Sequence, residues 1–115
     1  MRAYEVAFIG ALCHRFPMFM PILQQHLDDF DGLLPHVLMG DVTRWVVHRF
    51  SADAADRTLR EVLEFIESDF EGAPGEDREL VTASFLENLP QSGQDGAGVR
   101  ALLGPALQEQ LRQMG

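Results

Sequence analysis

The sequence predicts an all-α, single-domain bundle of about five to six helices over residues 1–115. Apolar residues recur at i, i+3, i+4 and i+7 through most of the chain, the spacing of one helix face. No run alternates apolar and polar residues over β-branched positions long enough for a strand. Proline and glycine punctuate the chain at helix-length intervals, at Pro17, Pro35, Gly72-Ala-Pro-Gly75, Pro90 and Gly104-Pro105, where one helix ends and another begins. No linker or internal repeat divides the chain, and its length allows roughly two thirds of the extended surface to be buried.

The first helix is expected over residues 3–15, closed ahead of Pro17 because the residue before a proline is pushed away from the helical region. The second runs from about Phe19 to Phe30, with the stripe Phe19, Ile22, Leu23, His26, Leu27, Phe30, and closes in Asp31-Gly32. The third enters through Pro35 at its first turn. It sets Leu34, Leu38, Val42, Trp45 and Val46 on one face, with Asp41, Arg44 and His48 on the shoulder. Gly40-Asp41 leaves two readings: a continuous helix, or a break with Asp41 capping a fresh one. Arg49 projects onto the apolar seam, which requires it to reach past the helix end or to pair with an acid.

Ser51 or Asp53 is expected to cap the fourth helix, with Asp56 in its first turn. Leu59, Val62, Leu63, Ile66 and Phe70 form its apolar face. The fifth spans about Glu76 to Leu89 and stops at Pro90. A polar loop over 91–98 and a turn over 99–103 follow. Gly104-Pro105 starts the last helix, glycine supplying backbone freedom and proline the first turn.

Nine basic residues, all arginine, face eighteen acids, for a net charge of −9. So acidic a surface disfavours nucleic acid and anionic membranes, both of which need cationic side chains, and admits a basic protein. No stretch is apolar for long enough to span a membrane, nothing at the N-terminus resembles a signal peptide, and a cytoplasmic protein is expected. The single Cys13 permits no internal disulfide and falls among core positions.

Catalytic motifs are lacking: there is no G-x-S-x-G, no phosphate loop and no H-E-x-x-H. Ser84 reads as a packed small residue. His14, His26, His36 and His48 are dispersed, so no metal or cofactor is expected; His26, on an apolar stripe, reads as a hydrogen-bonded core residue. Two clusters remain. Asp41, Arg44, Trp45 and His48 form either a small polar pocket or an ion pair beside a surface imidazole. Phe65 lies off its helix's stripe among Glu61, Glu64 and Asp69. It is either an exposed anchor for a basic partner or a ring that another helix covers.

The strings Leu34-Pro35-His36, Gly40-Asp41-Val42-Thr43-Arg44, Ser84-Phe85-Leu86-Glu87-Asn88-Leu89-Pro90 and Leu103-Gly104-Pro105 occur in this order. Together they resemble a family of short, stand-alone bacterial helical proteins described as a domain of unknown function. The similarity covers about residues 28–114 and implies a fold and a bacterial setting, with no activity attached. By analogy with small acidic helical immunity proteins, the expected function is non-enzymatic binding of another protein. An immunity-type protein neutralising a basic toxin domain would engage it through Glu61, Glu64, Phe65 and Asp69. The alternatives are a small-ligand binder or enzyme using Asp41, Arg44 and His48, and a homodimer. Independently of the resemblance, Asn88 lies one helical step from Val81 and Phe85, so its amide is expected to tie the following loop's backbone to the core.

Overall fold

In the computed structural model, which describes residues 2–115, helices alone make up the regular structure of the described residues. They are α1 (Ala3–Arg15), α2 (Met20–Phe30), α3 (Pro35–Ala52), α4 (Arg57–Gly72), α5 (Glu79–Ser84) and α6 (Pro105–Gln113). Short 3₁₀ turns join several of them. The chain is an all-α globule with principal extents of 37 × 32 × 22 Å. Among the described residues no single helix is long and apolar enough to cross a membrane.

α3 is the central element, packed against α1, α2, α4 and α5. Its buried face of Leu38, Met39, Val42 and Val46 meets Phe8 and Leu12 of α1, Leu59 and Ile66 of α4, and Val81 and Phe85 in one continuous core. The helix runs unbroken through Gly40, so Asp41 caps nothing. At mid-helix a single glycine costs only about 1 kcal/mol, less than the packing of two apolar turns either side of it. Thr43 turns its hydroxyl onto the Met39 carbonyl at 2.7 Å and the Ser84 carbonyl at 3.1 Å, tying α3 to α5.

The cap of α4 is neither Ser51 nor Asp53, because α3 continues through Ala52. Asp53 shapes the intervening turn by accepting the Ala55 N–H at 3.0 Å. Asp56 caps α4 by accepting the Leu59 N–H at 2.8 Å, and that bond, followed by Arg49, holds its carboxyl below the ordinary range. Arg49 finds its partner there, 2.9 Å from the Asp56 carboxylate, its guanidinium 5.8 Å from the Trp45 ring centroid.

The expected fifth helix is broken into a 3₁₀ turn over Gly75–Arg78, the short α5, and a second 3₁₀ turn over Leu86–Asn88. Arg78 explains the first break. Its guanidinium donates to the carbonyls of Ala73 and Glu71, at 3.1 and 3.0 Å, and stacks 4.8 Å from the Phe70 centroid. It thereby satisfies the orphan carbonyls ending α4 and pins the connection tightly. Asn88 donates to the Ser84 carbonyl at 2.9 Å, so it closes its own helix rather than holding the following loop.

α6 begins with a glycine that has no side chain to cap it. Glu67 of α4 supplies the cap, accepting the Ala106 and Leu107 N–H groups at 2.9 and 3.0 Å. Gly104 has an ordinary φ of −73°, so glycine serves here for space and not for backbone freedom. A Cβ would lie 2.5 Å from the Glu67 carboxyl carbon. Gly104→Ala should therefore cost about 1–3 kcal/mol by pushing Glu67 off the helix end. Most of that loss should vanish in a Glu67→Ala background, a coupling readable from urea denaturation of the double-mutant cycle.

Candidate functional site

α2 and α3 meet at a sharp corner. Asp31 takes the left-handed conformation at φ 52°, Gly32 follows at φ 147°, and Pro35 opens α3. The Leu34 N–H, at the cap position of α3, donates to His26 Nε2 at 2.9 Å. The imidazole thus does across the corner what a capping side chain does within one helix. This fixes the angle between two helices whose facing residues leave a groove of about 590 Å³.

Ile22, His26, Asp29 and Phe30 line one wall, spaced i, i+4, i+7 and i+8 on α2. Asp41, Arg44, Trp45 and His48, the cluster marked in the sequence, line the other. Arg44 is hydrogen-bonded to Asp41 and 72 % exposed. Trp45 is half-buried, edge-on to Phe19 at 5.0 Å. Arg44 and His48 form a ridge, because beyond them lies a second, more polar depression of about 690 Å³ against Asn88, Pro90, Gln94 and Asp95. His26 is 2 % exposed, as expected of a core imidazole, yet its Nδ1 has no partner.

The groove sits beside an electrostatically uncompensated helix end. Asp28, Asp29 and Asp31 close α2, whose last turn contains no basic residue. Carboxylates there face the negative pole of the helix dipole. Asp28 and Asp29 receive only neutral glutamine amides, from Gln24 at 3.1 Å and Gln25 at 2.8 Å. Next to them stand exposed apolar side chains: Phe30 at 48 %, with Leu34 and Val37 across the corner.

The α4 cluster is arranged differently. Phe65 is half-buried, its ring 6.0 Å from Phe8 and 5.8 Å from Phe16. Asp69 accepts the Tyr4 hydroxyl, and Glu61 lies between Arg15 and Arg57 at 3.7 and 3.4 Å. Glu64 remains exposed. Phe65 thus takes the covered reading, beneath α1, and the four residues do not make one open face.

One constellation had no sequence signal. His36 Nε2 lies 3.3 Å from the Glu5 carboxylate, and its Nδ1 meets the Ser84 hydroxyl. The order hydroxyl, imidazole, carboxylate is that of a nucleophilic triad. Ser84, however, is only 5 % exposed and sits within a helix packed on Thr43, so the chain acts as a strut joining α1, α3 and α5. Among the described residues no three metal-capable side chains cluster. Cys13 is buried in the core, and that burial pushes its thiol up.

The chain belongs to the family described as a domain of unknown function (DUF7674), which it matches over residues 9–114. The match begins inside α1, so Tyr4, Glu5 and Phe8 lie ahead of it. No curated protein and no solved structure shows significant similarity to the chain.

Two outcomes follow from how α1 is docked. Burial first, then the bond to Asp69, raises the Tyr4 phenol above its ordinary value near 10. The protonated form is thus favoured in the folded state, and this stabilisation is intact below about pH 10 and lost as the pH climbs further. Tyr4 is the only tyrosine, so tyrosinate absorbance should appear only together with alkaline unfolding; ordinary titration in a folded protein would show α1 free of α4. Phe65→Ala should lower stability by about 2 kcal/mol, measured by chemical denaturation, as a half-buried core ring requires.

Proposed function

We propose that the protein is a non-enzymatic binding module that holds a cationic, amphipathic segment of a partner protein in the groove between α2 and α3. The carrying observation is the triplet Asp28, Asp29 and Asp31 at the C-terminus of α2, with no basic residue in that last turn and exposed Phe30 beside it. Intramolecularly that placement is unfavourable, and a basic partner relieves it. Apolar side chains of the segment would enter between Ile22, Phe30 and Trp45, and its cations would lie along the acidic rim.

An immunity-type protein neutralising a basic toxin domain would use such a surface, and the net charge of −9 would speed the encounter. The α4 residues Glu61, Phe65 and Asp69 contribute less, since each already has an internal partner. A small-ligand site or enzyme built on Asp41, Arg44 and His48 is less well supported. Arg44 is neutralised by Asp41 and open to water, where a polar contact is worth little.

The test is a nuclear magnetic resonance titration of the full chain with leucine–lysine peptides at physiological salt. Shift changes should concentrate on residues 22–48 and on the Trp45 indole. Asp28→Asn, Asp29→Asn and Asp31→Asn together should weaken binding about tenfold, while Glu61→Gln and Glu64→Gln leave it unchanged. Changes spread evenly over all carboxylates, or centred on Glu61 and Glu64, would overturn the reading.

A further inference from the structure

His26, which lines the groove, has a buried ring nitrogen that the fold does not pair. His26 Nε2 accepts the Leu34 N–H at 2.9 Å, so that nitrogen carries no proton and the ring hydrogen of the neutral imidazole resides on Nδ1. Nδ1 is buried and unpartnered in a residue only 2 % exposed. Buried donors are nearly always paired, and one left alone is a cost the fold carries. Replacing His26 by an apolar residue would remove that cost but would also orphan the Leu34 amide. The Leu34 bond therefore accounts for one ring nitrogen and leaves the other unexplained.

Resting on the reading of the groove as a protein-binding site, we propose that His26 Nδ1–H donates to a backbone carbonyl of the bound segment, which must therefore be extended where it crosses α2. Two considerations select that acceptor, and a third concerns access to it. The rim carries Asp29 and Asp41, and the one cation lining the groove, Arg44, is already bound to Asp41, so an anionic acceptor is repelled. A carbonyl within a helix is committed to its own amide ladder, whereas an extended segment presents alternate carbonyls outward. Phe30, one turn beyond His26, leans back over it, ring centroids 5.0 Å apart. Being half exposed, Phe30 is the cover that the segment displaces to reach the nitrogen.

The experiment follows the His26 ring in the full chain by long-range proton–nitrogen correlation, alone and with two leucine–lysine peptides of equal charge. One alternates leucine and lysine and is extended; the other has helical spacing. In the free protein the ring proton should be on Nδ1. The alternating peptide should shift that proton downfield, slow its exchange at least tenfold and bind about five- to tenfold more tightly than the helical one. A free-state proton on Nε2 would overturn the inference. So would groove binding by both peptides with the Nδ1 proton unmoved, and that result would leave the broader protein-binding reading intact. Failure of either peptide to perturb the groove would remove both.

Discussion

A single hydrogen bond sets the relation of α2 to α3, the one between the Leu34 amide and His26 Nε2. Pro35 removes one donor from the first turn of α3, and the residue before it is held extended. The Leu34 amide would be orphaned at a partly buried corner without an acceptor from elsewhere. His26 reaches it across eight residues, which locks the turn at Asp31-Gly32 and the opening between the helices. Phe19, at the N-cap of α2, packs edge-on against Trp45 and holds the same two helices together at a second point.

α1 has the opposite role: it closes surface. Glu5, His36 and Ser84 join it to α3 and α5, Tyr4 joins it to Asp69, and Phe8 and Phe16 cover Phe65. Of the acids of α4, Glu61 and Asp69 are engaged by this helix, while Glu64 stays exposed. An aromatic ring off its own helix's stripe is a signal that some element covers it, and here the sequence alone could not name which.

Much of the fold was legible because it depends on local rules. The boundaries of α1 and the stripe of α4 follow from proline placement and from 3.6-residue periodicity, and α3 begins at Pro35 as its chemistry requires. What escaped was set by side chains acting over distance. Asp56 caps α4 in place of Ser51 and Asp53 because α3 continues through Ala52 and takes Asp53 as its own C-terminal cap residue. Arg78 stops α4 from the far side of a proline turn, and Glu67 caps a helix 39 residues away. The polar cluster at Asp41, Arg44, Trp45 and His48 was visible as a shoulder on one helix. The wall facing it was not, since His26 and Phe30 read simply as apolar-stripe residues until the corner is known.

The placement of charge also separates structural acids from available ones. Asp56, Glu67, Asp69 and Glu5 each accept a hydrogen bond that holds two elements together or caps a helix, so removing any of them acts on the fold. Asp28 and Asp29 accept only glutamine amides, Asp31 holds the C-cap position through its left-handed backbone, and all three stand at the helix end where negative charge is least welcome, with no basic residue in its last turn. A fold that needed only solubility has ample exposed positions elsewhere for these carboxylates. Their concentration beside the exposed ring of Phe30, over a groove holding an unpaired imidazole N–H, places electrostatic, apolar and hydrogen-bonding demands on one surface. The cationic extended segment proposed above would meet all three together, whereas water leaves the apolar one unmet.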